Sequence, residues 1–353
     1  MANSITSTLA RLVGRREAIR LAGSVLAAVG LSGLDGDEYT RVAQAVASPG
    51  RVDAHVIENL TIMLAVCKRQ EDTLGPREVL DTVIAQHAIV RRLLQGDCLD
   101  KFRKPLHLVD STIACTIGGY LIDMGQFEAA SRYFARARRA AHHASNSTCA
   151  AYAAINTSFA AFQRGDTPTA LDTAAAARSL AARTEDSRLK ALAEEQAAGA
   201  YALDNQYIPC MRACDRAHDL LANTTIGGVS ADSPAYWVHE GTLSSKTSTF
   251  LTLLGKPREA VDAATMAQTR FNRTYVGLYA RCQVRLGHAL VLDKDITQAA
   301  QVLGDAASHA SMSPRLATEL HTARTLMQPW QNTHAVKTLD AQLEACEIMS
   351  NQS

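Results

Sequence analysis

Five times in this chain of 353 residues, a turn residue is followed at +5, +9 and +12 by a small or apolar side chain. In MGQFEAASRYFARARRAA the series is Gly125, Ala130, Phe134, Ala137; in RGDTPTALDTAAAARSLAA it is Gly165, Ala170, Ala174, Ala177. DNQYIPCMRACDRAHDLL carries Asn205, Cys210, Cys214, Ala217, and LGKPREAVDAATMAQ carries Gly255, Ala260, Ala264, Ala267. The last series, in LDKDITQAAQVLGDAASHA, is Lys294, Ala299, Leu303, Ala306. Positions four and seven apart share one face of a helix with 3.6 residues per turn. Before each turn lies another helical stretch, with Ile117, Gly118 and Leu121 in the first unit and Leu243, Phe250 and Leu251 in the fourth. The unit is therefore a helix, a tight turn and a helix, and the small residue at +5 lets the two helices close on each other.

The turn positions 125, 165, 205, 255 and 294 stand 40, 40, 50 and 39 residues apart. A repeat of this length signals a helical solenoid, in which each unit covers its apolar face on its neighbours. The 50-residue step contains NTTIGGVSADSPAYW, Asn223–Trp237. Its Gly, Ser, Asp and Pro mark a loop inserted between units. The expected fold class is all-α: a right-handed helical-repeat solenoid with N- and C-terminal capping helices. The expected parts are a tail or linker helix over 1–36, a helical cap over 37–100, repeats over 101–312 and capping helices over 313–353. Within the caps, helices are expected at Asp53–Gln70, with Asp53 as N-cap, and at Pro76–Gln95, with Pro in the first turn. Pro314–Met327 and His334–Met349 are expected to cover the far end.

Composition agrees with this. The chain is 47% hydrophobic but only 5% aromatic, and its abundant alanine favours closely packed helices. A net charge of +1 argues against an extended nucleic-acid surface, which needs a basic excess. No uninterrupted apolar stretch reaches the ~18–20 residues of a membrane span. The eight cysteines, Cys67, Cys98, Cys115, Cys149, Cys210, Cys214, Cys282 and Cys346, are scattered through helical patterns. They read as buried free thiols in a reducing compartment.

The repeat resembles the tetratricopeptide repeat (TPR), best in the first unit with Gly118, Gly125, Phe127, Ala130, Phe134 and Ala137. The other units keep the alanines and lose most aromatics, and the period exceeds that family's 34 residues. More widely, the chain is similar to the TPR-like region of actinobacterial helix-turn-helix (XRE-type) transcriptional regulators. The stretches that carry this are RREAIRLAG (Arg15–Gly23), Asp37–Asp53, Thr73–Gln86, the MGQFEAASRYFARA repeat, Ser233–Val261 and Ala335–Ala345. The resemblance implies a cytoplasmic, non-enzymatic regulatory protein that binds a peptide or protein partner and acts in transcriptional control. Only 14 residues precede Arg15, too few for the DNA-binding domain of such regulators. Direct nucleic-acid binding is therefore not expected of this chain. An alternative makes it the ligand-sensing region of a regulator whose helix-turn-helix is missing, and another an enzyme on a helical-repeat scaffold. Homodimerisation is left open.

The stretch GRREAIRLAGSVLAAVGLSGL, Gly14–Leu34, has two readings. Its arginine pair and apolar run resemble a twin-arginine export signal, but no A-x-A cleavage site follows before Asp35. In the regulators just named, the same words join the DNA-binding domain to the repeats, and that linker reading is preferred.

Four clusters carry potential chemistry. Cys210, Cys214 and His218 share a helix face and could ligate zinc, but no second Cys/His pair completes a tetrahedral site. Packing is the preferred reading and no metal is expected. Arg132, Arg136, Arg138 and Arg139, followed by His142 and His143, read as a solvated basic face, with an acidic partner as the sharper alternative. His239-Glu240 lacks a nucleophile or an HExxH frame, and Tyr236 and Trp237 are expected to pack the inserted loop onto the fourth repeat. No GxxxxGK, GxGxxG or GxSxG motif is present, so no cofactor and no catalytic residue is assigned. The fourth cluster is the inner wall of the solenoid, built by the first helix of each unit. It should present Tyr152, Asn156 and Phe159, then Glu195 and Gln196, then Ser245, Lys246 and Thr249, and lastly Arg281, Arg285 and His288. Asn and Gln can hold a peptide backbone there, and Lys and Arg a carboxylate.

Overall fold

The computed structural model describes residues 36–222, 233–271, 273 and 275–346. Gly14–Leu34 and most of the inserted loop lie outside them. The described residues form 15 α-helices and three short 3₁₀ turns, with no strand. Helix α1 (Gly36–Ala47) precedes the hairpin of α2 (Ala54–Leu74) and α3 (Pro76–Gln95). Five hairpins follow: α4 (Asp100–Asp123) with α5 (Phe127–Ala144), α6 (Ser147–Gln163) with α7 (Thr167–Ala181), and α8 (Ser187–Leu203) with α9 (Tyr207–Ala222). The fourth pairs α10 (Glu240–Leu253) with α11 (Pro257–Arg270), and the fifth α12 (Val276–Leu292) with α13 (Ile296–Ala307). Helices α14 (Pro314–Leu326) and α15 (His334–Ala345) end the described chain.

All five expected turn residues adopt the left-handed conformation: φ is 73° at Gly125, 67° at Gly165, 56° at Asn205, 68° at Gly255 and 69° at Lys294. Each turn closes in the same way. The residue after the turn donates its N–H to a carbonyl five back, as Gln126 does to Leu121 at 2.8 Å and Asp295 to Leu290 at 3.0 Å. The turn residue itself bonds three back, Gly125 to Ile122 and Lys294 to Val291. This is the Schellman pattern, which satisfies carbonyls left open at a helix end. Asp166 and Asp295 then cap the next helix by accepting the N–H of Thr169 and Gln298.

The residues at +5, +9 and +12 are buried in every unit, from Ala130, Phe134 and Ala137 to Ala299, Leu303 and Ala306. Small residues opposite them set how closely the helices approach. A Cβ on Gly118 would lie 2.2 Å from the ring of Phe134, and one on Gly287 would lie 2.5 Å from Leu303. Cys210 and Cys214 pack beside Ala213 and Phe250 in the same way. His218 turns instead to Glu240, 2.9 Å away, so the preferred packing reading holds for the thiols. All eight cysteines are free; seven are buried, while Cys346 is exposed, contrary to the expectation for that one. Among the described residues no helix is long and apolar enough to cross a membrane.

The basic face is also different from expectation. Arg132, Arg138 and Arg139 are exposed, but Arg136 turns inward and grips buried Asp110 with Nη2 at 3.1 Å from both carboxylate oxygens. Asp110 also faces His87 at 2.9 Å. This ties α5 to α4 and α3, because a buried carboxylate must find cationic or donor partners.

The largest departure is at the ends. The solenoid curls until its first helices meet its last: α2 touches α12, and α4 touches α14. Gly75, at the α2–α3 turn, abuts the backbone of Met312, and Ser313 Oγ donates to the Asp123 carbonyl at 3.4 Å. The terminal helices expected as caps thus divide their work. Helix α15 covers α13, whereas α2 and α14 close a wall.

Candidate functional site

Among the described residues, the curl surrounds a cavity of about 190 Å³. Eight of the eleven inner-wall residues named from the sequence line it: Tyr152, Asn156 and Phe159 on α6, Glu195 and Gln196 on α8, Lys246 on α10, and Arg281 and Arg285 on α12. Ser245, Thr249 and His288 do not. Ser245 lies one residue from the lining position, fully buried, and accepts a bond from Arg285 Nη1 at 2.8 Å. Thr249 Oγ1 is buried, and His288 is half-buried with its imidazole held below its usual pKa by burial. One turn of helix presents only one narrow stripe to the interior, and these three flank it.

The sequence reading missed the rest of the wall. Helix α2 contributes Lys68, Glu71 and Asp72, and α4 contributes Tyr120 and Asp123. Tyr236, Trp237, Phe271 and Tyr275 enter from the segments before α10 and α12, and Met312 and Arg315 from the closing end. The i, i+3, i+4 placement of Lys68, Glu71 and Asp72 was visible as one helix face, but nothing local said what that face would meet. Tyr236 and Trp237 do not simply pack a loop onto the fourth repeat. Arg188 holds the Tyr236 carbonyl at 2.6 Å, and the Tyr236 hydroxyl donates to Asp72 at 3.3 Å, bridging the inserted segment to α2. His239 is spent on structure: its Nδ1 accepts the Gly241 N–H at 3.1 Å as the N-cap of α10. Glu240 pairs with His218 and Arg270.

The cavity is strongly charged for an interior. Asp123 holds Arg281 in an ion pair and Arg315 in a second at 2.9 Å. Burial acts to raise the Asp123 pKa, yet the two guanidinium groups outweigh it and hold the carboxyl below its usual range. Lys246 sits 4.0 Å from Glu195 and 4.7 Å above the centre of the Phe159 ring, and Arg315 also faces that ring at 5.5 Å. These are cation–π distances. Burial drives both members of the Lys246–Glu195 pair towards neutrality, bringing the lysine down to about 7 and the glutamate up. On α2, burial raises Glu71 to about 8 and Asp72 to about 6. Such an array can hold charged and hydrogen-bonding groups of a ligand on fixed side chains, with aromatic faces between them.

No family model matches the chain, and no curated protein matches it. Solved structures do match. The crystal structure of a Rap protein complexed with Competence and Sporulation Factor superposes with a TM-score of 0.53 at 11% identity, covering 94% of this chain and 89% of that one. Yeast Tom70 gives a TM-score of 0.37 at 11% identity, over 87% of this chain and 68% of that one. The chain is an all-α, TPR-like helical solenoid, similar in fold to the Rap protein over nearly its whole length.

Proposed function

We propose that this protein is a non-enzymatic regulatory module that takes up a peptide in its interior cavity and passes the event on to transcriptional control. One observation carries the reading: Lys246, Arg281, Arg285 and Arg315 are gathered inside a lined cavity where the two ends of the solenoid meet. Withdrawing a charge from water costs several kcal/mol even after relaxation. A solenoid needing only stability would fill that space with apolar side chains. The Rap structure, alike in fold, is complexed with Competence and Sporulation Factor, which supports ligand capture by this shape. Asn156 donates to the Tyr152 carbonyl at 2.8 Å and keeps its amide oxygen for a backbone N–H, while Gln196 stands beside Glu195.

A ligand touching both α2 and α12 holds the two ends together, so occupancy stabilises the closed curl. That change would be passed on to a DNA-binding partner inside the cytoplasm. His239 is spent on a helix cap and Asp123 on two arginines, which favours binding over catalysis. Mass spectrometry of small molecules released from the purified protein tests the reading, with Lys246→Glu and Arg285→Glu as controls. A released peptide, lost in both variants at unchanged helicity, is expected. Unchanged affinity in the variants, or turnover of a bound substrate, would overturn it. Fusing residues 1–40 to an export reporter tests the compartment.

A further inference from the structure

The charges lining the cavity are unevenly paired, and the imbalance has a direction. At the end formed by α10, α12 and α14, donors exceed acceptors. Asp123 already serves both Arg281 and Arg315. Arg285 donates to the neutral Ser245 hydroxyl and forms no ion pair among the described residues, Glu319 and Glu195 acting on it only from farther off. Arg281 Nε and Arg315 Nη1 are buried donors without an acceptor, on side chains that are nine-tenths buried. A guanidinium offers five N–H groups and stays charged, so this end can accept a carboxylate in bidentate fashion.

At the α2 end the balance reverses. The Glu71 side chain has no hydrogen bond among the described residues, and Asp72 receives one only from the neutral Tyr236 hydroxyl. Among the described residues no cation forms an ion pair with either carboxylate, and the two outnumber Lys68, which acts on both from farther along the same helix face. These oxygens can accept several N–H bonds.

We infer that the cavity takes a short zwitterionic peptide with both termini free, its terminal carboxylate against Arg285 and its terminal ammonium against Glu71 and Asp72. This deepens the peptide-binding reading above and rests on it. A single anion such as phosphate would use the arginine end and leave the acidic end unserved. An internal loop of a protein carries neither terminal charge and would leave both ends unserved. Free termini are what the two ends complement together.

The test uses the full chain and synthetic random tetrapeptide pools: free at both termini, N-acetylated, or C-amidated. Retained peptide is measured by mass spectrometry after equilibrium filtration. Each cap should reduce retention about 10-fold, since one charge-assisted contact is worth at least about 1.4 kcal/mol. Arg285→Gln should abolish discrimination against the amide, and Glu71→Gln with Asp72→Asn discrimination against the acetyl group. If these variants fail to fold, the wild-type comparison of pools decides alone. Equal retention of free and capped pools overturns this inference and leaves peptide binding standing. Retention of no pool overturns both. Complete displacement of the free pool by inorganic phosphate, with no effect of N-acetylation, would reduce the cavity to an anion site and also overturn the inference.

Discussion

Closure of the curl depends on Gly75, and Gly75→Ala tests it. The residue has φ 87° and ψ 164°, a backbone region that is essentially reserved for glycine and costs a side-chain-bearing residue about 1–3 kcal/mol. A Cβ there would also lie 2.4 Å from the Met312 carbonyl oxygen and 3.1 Å from its Cα. Both obstacles are backbone atoms, so no rotamer change relieves the contact. Overpacking of this kind costs about 1–3 kcal/mol more if the wall stays shut. The cheaper response is for the turn Ala310–Met312 to separate from the α2–α3 turn, which also strains the Ser313–Asp123 bond. The expected result is a loss of about 2–4 kcal/mol with a larger radius of gyration by solution X-ray scattering. Helix content by circular dichroism should stay unchanged. A variant with wild-type melting temperature and wild-type scattering would refute the reasoning, because the two ends would then not be in the contact described.

Asp123→Asn leaves two buried guanidinium groups without their carboxylate and should cost about 3–5 kcal/mol in chemical denaturation. An effect below about 1 kcal/mol would mean that the pair is solvated. Because the folded pKa of Asp123 is depressed, its contribution is present above the unfolded carboxylate pKa and lost as pH falls through the folded value. Glu71 has the opposite sign. Its folded pKa of about 8 lies above the unfolded value of ~4.3, so the native state binds the extra proton and stability falls as pH rises between the two. Glu71→Gln should flatten that part of the melting-temperature profile, and an unchanged slope would show that Glu71 is not the group responsible. At Lys294, φ is 69°, so Lys294→Gly should stabilise by about 1 kcal/mol by removing left-handed strain. Gly165→Ala should cost a similar amount; equal melting temperatures for both would contradict the turn geometry.

The repeat was legible because its information is local. A left-handed turn needs Gly, or a residue such as Asn205, at one position, and helix geometry places +5, +9 and +12 on one face. Tyr152, Asn156, Lys246 and Arg285 followed from the same register, since the first helix of each hairpin must face inward. Ser245, Thr249 and His288 did not, because the stripe facing the cavity is narrower than the face of a helix. Local patterning likewise gave no sign that Arg136 would turn in to Asp110, a choice made by a carboxylate on a neighbouring helix.

By itself, then, the sequence determined the helix–turn–helix unit, the five turn sites and most of the inner stripe. Only the tertiary structure decided that the curl closes, with α2 and α14 as walls and with Asp123, Glu71 and Arg315 in one cavity. The physical reason is accumulation. Each hairpin adds a small rotation set by how closely residues such as Gly118 and Phe134 pack, and closure depends on the sum over all hairpins. No single stretch contains that sum. The contact between Gly75 and Met312, 237 positions apart in the chain, is where it becomes visible.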